Sequence, residues 1–247
     1  MRSAASVILL RDAAAGPEVL LVRRGERGDF PGLHVFPGGL VDEADRDPRL
    51  CQAADCDAGL ACELTGNLPE ALAHRVAVIR ECFEETGILL GSTAGGHDLA
   101  DWRARLLARE TGFAELAEAT GLQLQTRALG YFSHWITPEG IPRRYDTRFF
   151  VARVGPDAVA TPDERETVGI DWLRPQEALD AHRRGDLKLI FPTIRNLMEL
   201  AGWQDSESLL ETCCRPRELP AMLPRMRLRD GRMELLLPGD PGYAEAQ

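Results

Sequence analysis

No stretch of this chain approaches the 18 or more apolar residues of a membrane-spanning helix. Its first apolar run, Val7 to Leu10, stops at Arg11 and is too short for a signal-peptide core. Basic charge is also in deficit, with 29 Lys and Arg against 39 Asp and Glu, a net charge of −10. An acidic chain is a poor general binder of nucleic-acid phosphates, so nucleic acid is not the expected partner. The six cysteines, at 51, 56, 62, 82, 213 and 214, include no Cys-x-x-Cys pair. Without a signal peptide they argue for reduced thiols rather than a disulfide framework. Cys51, Cys56 and Cys62 do cluster, but their spacing is irregular and the nearest histidine, His74, falls on the next predicted helix. A structural zinc is therefore not expected there. There is no internal repeat and no low-complexity tract. These absences leave a cytoplasmic enzyme as the default expectation.

The 247 residues, 44% of them hydrophobic, suffice for one large domain or a domain with an appended subdomain. Residues 5–12 and 18–24 read as strands around a turn at Ala15-Gly16-Pro17, and a short strand follows in 33–36. Residues 44–68 are polar and aperiodic, the expectation for a surface insertion. Pro69 suits the first turn of a helix reaching to about Thr86, with Gly87 in the stop position. One or two helices are expected over 98–120, paired strands in 126–138 and 144–154, and a shorter strand in 168–175. Helices follow at about 175–184, 191–201 and 205–213, then a hairpin turning at Asp230-Gly231. Interleaved strands and helices without a strict βαβ rhythm favour an α/β class, a mixed sheet with helices on both faces.

The chemistry-bearing stretch is "HRVAVIRECFEETGILL", residues 74–90. On a helical wheel Glu81, Glu84 and Glu85 share one face, and Leu72, Val76, Ile79 and Phe83 gather on the opposite, buried one. Like charges at these spacings repel by about 0.2–0.5 kcal/mol per pair. A shared cation removes that repulsion. All-carboxylate ligation suits Mg²⁺ or Mn²⁺ rather than zinc. The competing reading is a solvated acidic face paired with Arg80 and Arg75.

The run "RECFEETGI", Arg80 to Ile88, fits R-E-U-x-E-E-x-G-U, with U apolar, and resembles the core of the Nudix hydrolase signature, G-x5-E-x7-R-E-U-x-E-E-x-G-U. Upstream, "FPGG", Phe36 to Gly39, matches the glycine loop, and counting on from Gly39 reaches Asp45, an acid where the family has glutamate. Asp42 and Glu43 are alternatives for that acid. The next gap holds 34 residues instead of seven. That long insertion, with "DFPGLHVFPGG" and "WITPEGIPRRYDTRFF", resembles the peroxisomal coenzyme A diphosphatase branch and its bacterial relatives. A sister branch's coenzyme A motif, LLTxR[SA]x3Rx3Gx3FPGG, is met in part. Arg23, Gly32 and the FPGG run fall in register, whereas Gly28 replaces the second arginine and Arg27 lies one place off.

The resemblance implies a Nudix-type α/β/α sandwich over residues 1–200, with the insertion at about 44–68 and a helix-and-hairpin extension over 201–247. It implies metal-dependent hydrolysis of a nucleoside diphosphate linked to X, with coenzyme A or acyl-coenzyme A as the substrate. Other Nudix substrates (dinucleotides, nucleotide sugars, capped RNA) and a non-catalytic ligand sensor are the alternatives. Glu84 and Glu85 are the expected metal ligands, Glu81 a ligand or general base, and the Gly38 carbonyl and a distal acid further ligands. For that distal acid Glu166 is preferred, with Glu164 close behind. Arg80 is expected to hold a carboxylate in a bidentate pair. Substrate contacts are expected from Arg23, Phe36, Gly39 and the group Arg143, Arg144 and Arg148, with internal pairing to Asp146 as the competing reading. His34 and His134 read as packing or hydrogen-bonding residues, and Tyr131, Trp135 and Trp172 as core. A homodimer is left open, and the last residues, "AEAQ", are not a Ser-Lys-Leu peroxisomal address.

Overall fold

Strand β1 (Arg2–Ala13) runs through the middle of the molecule, and its side chains alternate between two cores. Ala5, Val7 and Leu9 enter one, Ile8 and Leu10 the other, as expected of a strand covered on both faces. A two-residue turn at 14–15 leads into β2 (Gly16–Arg24), so Gly16 and Pro17 already belong to the returning strand. The computed structural model describes residues 1–26, 31–229 and 232–246. Arg27, Gly28 and the expected hairpin turn at Asp230-Gly231 lie outside the described residues.

After β2 come β3 (His34–Val35), β4 (Gly38–Leu40) and a 3-10 turn over Glu43–Arg46. Helices α1 (Pro48–Ala53), α2 (Ala58–Glu63) and α3 (Ala71–Thr86) follow. Next are β5 (Gly91–Ser92), α4 (Leu99–Leu107), α5 (Phe113–Thr120), β6 (Gln123–Leu124), β7 (Gly130–Ile136), β8 (Tyr145–Arg153) and β9 (Thr167–Leu173). The chain closes with α6 (Pro175–Arg184), α7 (Phe191–Leu200), α8 (Ser206–Cys213) and the hairpin β10 (Arg225–Arg229) and β11 (Arg232–Leu236).

The seven-stranded sheet has the order β3-β2-β1-β8-β7, with β4 added on β1 and β9 on β2. The β1–β8 pairing is parallel and the other described pairings are antiparallel. Helix α3 and α5 cover one face, α6, α7 and α8 the other, each with its own apolar cluster. This is the α/β/α sandwich expected from the sequence.

A fork in the sheet positions the site. Pairing of β2 with β1 begins only at Leu10, while β4 pairs with the other end of β1, Ala4 to Ser6. Between them β2 turns away to pair with β9. Pro37 closes the fork: its carbonyl accepts from the Val7 N–H and from Ser6 Oγ, both at 2.8 Å.

The 44–68 segment is not the surface excursion its polarity suggested. Leu50 and Ala53 of α1 belong to the core under α3, and Ala61, Leu64 and Thr65 are buried as well. Its helices are six residues each, too short to register as periodicity. Arg49 ties the segment to α5 through Glu115 and Glu118, at 2.8 and 3.0 Å.

Candidate active site

Helix α3 is buried almost all round, not on one face alone. Its apolar residues Val76, Ile79 and Phe83 meet the sheet as expected. The wheel left the acidic face to solvent, yet Glu85 is only 4% exposed, and Glu81 and Glu84 are half-buried. The structure thus excludes a solvated acidic face. Arg75 takes no part in it. Fully buried, Arg75 donates to Thr65 Oγ1 and to the carbonyls of Thr126 and Leu129 at 2.7–3.2 Å.

The C-terminal turn of α3 is fixed from several sides. Gly87 adopts the left-handed conformation that ends the helix, at φ 75°. Arg103 of α4 donates twice to the Glu84 carbonyl, at 2.8 and 3.0 Å. Thr167 Oγ1 donates to the carbonyl of Glu85 at 3.2 Å. The glutamates therefore project from a rigid backbone.

Glu81 lies against β4. A Cβ built on Gly39 would fall 2.5 Å from the Glu81 carboxyl, so Gly39 makes room for that carboxylate. Glu85 reaches the fork, where its Oε2 accepts from the Gly38 N–H at 3.0 Å. Its other oxygen accepts from Arg24 Nη1 at 2.6 Å. Arg80 grips Asp45 in a bidentate pair, Nε to Oδ1 at 2.8 Å and Nη2 to Oδ2 at 3.0 Å, and also reaches Glu81 at 2.7 Å and Glu84 at 3.6 Å.

Among the three acids weighed for the upstream position, Asp45 is fully buried on Arg80, whereas Asp42 and Glu43 are exposed. Of the two distal acids, Glu166 reaches the cluster: Arg24 Nη2 donates to it at 3.0 Å. Glu164 instead forms the turn before it, at φ 59°.

Arg24 was missed by sequence reasoning, which singled out Arg23. The alternation of β2 carries the signal. Leu20 and Val22 face α3, so Arg24 does too, while Arg23 shares the opposite face with Val19 and Leu21. Arg23 is exposed, near the Val168 carbonyl, and is not brought to the glutamates. Phe36 is likewise not brought to the glutamates. It is 3% exposed and packs edge-on against Phe149 in the core beneath α6 and α7.

Arg148 and Gly39 flank Ala5 on its two sides, about 10 Å apart at ordinary strand spacing. Arg148 pairs with Asp146 at 2.7 Å, and His134 Nε2 lies 2.6 Å from the same carboxylate oxygen. The neighbouring Arg144 donates to the Thr137 carbonyl, and Arg143 is exposed in the β7–β8 loop. Internal pairing therefore holds for Arg148. His34, Tyr131 and Trp135 are buried, as expected of packing residues, and Trp172 lies under Arg11. The six cysteines are free thiols, with Cys56 buried near Thr126 and Cys51 exposed.

Burial pushes all three glutamates above the ordinary carboxylate range. Glu84 rises to about 7, against the pull of Arg80, and Glu85 to about 8, with the Glu81 charge adding to the effect. For Glu81 the direction is also upward, burial outweighing Arg80. Five carboxylates (Asp45, Glu81, Glu84, Glu85 and Glu166) meet two guanidiniums, those of Arg80 and Arg24. Among the described residues no three His, Cys, Asp or Glu side chains already converge as a ready chelate. The all-oxygen donors and the unbalanced negative charge nonetheless fit a hard divalent cation.

Comparison with known proteins agrees with this geometry. A family model described as the NUDT19 Nudix domain matches residues 60–200. The chain is 32% identical to the Homo sapiens protein named acyl-coenzyme A diphosphatase NUDT19, covering 94% of this chain and 74% of that one. Its Gallus gallus namesake is 31% identical over 99% of this chain and 80% of its own length. A solved Nudix hydrolase from Alicyclobacillus acidocaldarius is similar at a TM-score of 0.70 and 27% identity, covering 85% of this chain and 96% of that one.

Proposed function

Because this chain belongs to the Nudix hydrolase family of the NUDT19 type, we propose that it cleaves the pyrophosphate of coenzyme A and acyl-coenzyme A. Water adds to one phosphorus and the bridging P–O bond breaks, giving 3′,5′-ADP and (acyl-)4′-phosphopantetheine. The observation that carries the reading is the buried turn of three glutamates set against the Gly38–Gly39 strand, in a chain similar over 94% of its length to a protein named for that activity.

A divalent cation, Mg²⁺ or Mn²⁺ in this proposal, would neutralise the pyrophosphate oxygens and make a water more nucleophilic. Glu84 and Glu85 are the ligands we assign, with the Gly38 carbonyl and Glu166 beside them. Glu81, pressed against Gly39, is a ligand or the base that accepts the water's proton. Arg80 positions the set by anchoring Glu81 to the buried Asp45. Arg143 and Arg144, in the β7–β8 loop, supply positive charge for substrate phosphates, Arg148 being held by Asp146, and Arg23, on the face of the sheet away from α3, is left out. Residues 1–200 form the hydrolase unit, 201–247 an extension packed on it, and the enzyme works in the cytoplasm. No helix among the described residues is long and apolar enough to cross a membrane.

The test is a product-resolved assay of the purified protein with coenzyme A, acyl-coenzyme A, dinucleotides and nucleotide sugars, in Mg²⁺ and in Mn²⁺. Formation of 3′,5′-ADP and 4′-phosphopantetheine as the fastest reaction is expected. Faster cleavage of another substrate would leave the hydrolase family standing and remove the coenzyme A assignment.

A further inference from the structure

Arg24 joins two carboxylates from distant parts of the chain, Glu85 on α3 at 2.6 Å and Glu166 before β9 at 3.0 Å. The pair with Glu85 is buried: the Arg24 side chain is 16% exposed and that of Glu85 5%. Both oxygens of Glu85 are engaged, Oε1 by the guanidinium and Oε2 by the Gly38 N–H. A second cation reaching Glu85 must therefore compete with Arg24 for Oε1. The other guanidinium of the site behaves differently. Arg80 is locked onto Asp45 through two hydrogen bonds and onto the Leu40 carbonyl through a third, none of which involves the three glutamates. Among the described residues Arg24 makes no such structural contact: its side-chain partners there are the two acids.

We infer that Arg24 is a positioning residue that stands in for the divalent cation, holding Glu85 and Glu166 together until the ion arrives and then giving up Glu85. This rests on the assignment of Glu85 as a metal ligand, and it makes Arg24 a competitor of the metal rather than a helper. A helper would organise the ligands, and its loss would weaken binding. A competitor's loss strengthens binding and exposes the crowding it had relieved. When Arg24 yields Glu85, its charge becomes available on the α3 side of the sheet, where an anionic substrate must approach.

The experiment titrates Mn²⁺ into metal-free wild type, Arg24→Gln and Arg24→Lys, by calorimetry and by loss of the free-Mn²⁺ electron paramagnetic resonance signal. Thermal melts in EDTA and in saturating Mn²⁺ accompany it. Arg24→Gln should bind Mn²⁺ about tenfold more tightly than wild type, the scale of one charge-assisted hydrogen bond no longer opposing the ion. Arg24→Lys, which keeps the charge but not the two-pronged geometry, should fall between. In EDTA the glutamine variant should melt below wild type, and Mn²⁺ should narrow that gap. Unchanged or weaker Mn²⁺ binding in both variants would overturn the inference. Failure of the underlying metal site would look different, since wild type itself would then bind no Mn²⁺ and the inference would fall with it. If the glutamine variant does not fold, the lysine variant decides on the same criterion.

Discussion

Helix α3 buries charge at both of its ends, and the two ends do it in opposite ways. Near the start, Arg75 is surrounded by neutral acceptors, the carbonyls of Thr126 and Leu129 and the hydroxyl of Thr65, with the Phe150 ring 5.3 Å away. Those contacts tie the helix to the turn before β7, to β8 and to the end of α2, and the hydrogen bonds that hold the group involve no acid. About two turns on, Glu81, Glu84 and Glu85 crowd together with few cations among the described residues, and burial raises the pKa of each. The first arrangement is complete as it stands. The second carries more negative than positive charge among the described residues. That contrast separates a buried charge that builds the fold from a buried cluster that fits the ligand site proposed above.

The largest effect should come from the segment that Arg75 anchors. Excising residues 46–68 removes Leu50 and Ala53 from the core and Thr65 from Arg75, so the shortened chain should be insoluble or lack a cooperative urea transition. A shortened protein that unfolds cooperatively with wild-type circular dichroism would make the segment dispensable. Arg75→Met comes next. It strands two buried carbonyls at about 1–3 kcal/mol each, so urea denaturation should report a loss of at least about 2 kcal/mol. A loss below half of that would mean the carbonyls find other donors.

At the acidic end the signs reverse. Glu84→Gln and Glu85→Gln should each lower turnover by at least about 10²-fold. Metal-free stability should hold or rise, because like charge has been removed. Near wild-type turnover in both would remove the ligand assignment.

A smaller effect concerns pH. Glu84 and Glu85 have folded-state pKa values of about 7 and about 8, above the ordinary 4.5 of the unfolded chain. In that window the folded state binds more protons, so metal-free stability is full below about pH 4.5 and declines as pH rises toward 8. Melts in EDTA between pH 5 and about 8.5 should show that decline, and Mg²⁺, which binds the ionised carboxylates, should flatten it. A rise in metal-free stability across the range would contradict the burial of these groups.

Much of this was legible in the sequence. The spacing of Glu81, Glu84 and Glu85, the Gly38–Gly39 pair and the helix stop at Gly87 stand in the structure where the motif put them, and helices α6 to α8 fall within a residue of expectation. What the wheel could not show is that α3 is covered on its polar face as well, because that cover comes from β4 and Asp45, remote in sequence. The insertion hid for a different reason: six-residue helices carry too few repeats to reveal a face. Phe36 looked functional because it sits in a functional run, yet the fork in the sheet turns its ring into the opposite core. Arg24 was readable from the alternation of β2, but Arg23 drew attention by matching a motif counted back from the FPGG run.

The most direct test of the contrast is the Mn²⁺-induced rise in melting temperature, measured side by side for wild type, the Glu84→Gln/Glu85→Gln double variant and Arg75→Met. Bound metal stabilises a protein by an amount that grows with the logarithm of its concentration over Kd, about 2.7 kcal/mol at a hundred times the Kd. Wild type should show the rise, Arg75→Met should start from a lower melting temperature and show the same rise, and the double variant should show none. A double variant that is stabilised by Mn²⁺ as much as wild type would contradict the account.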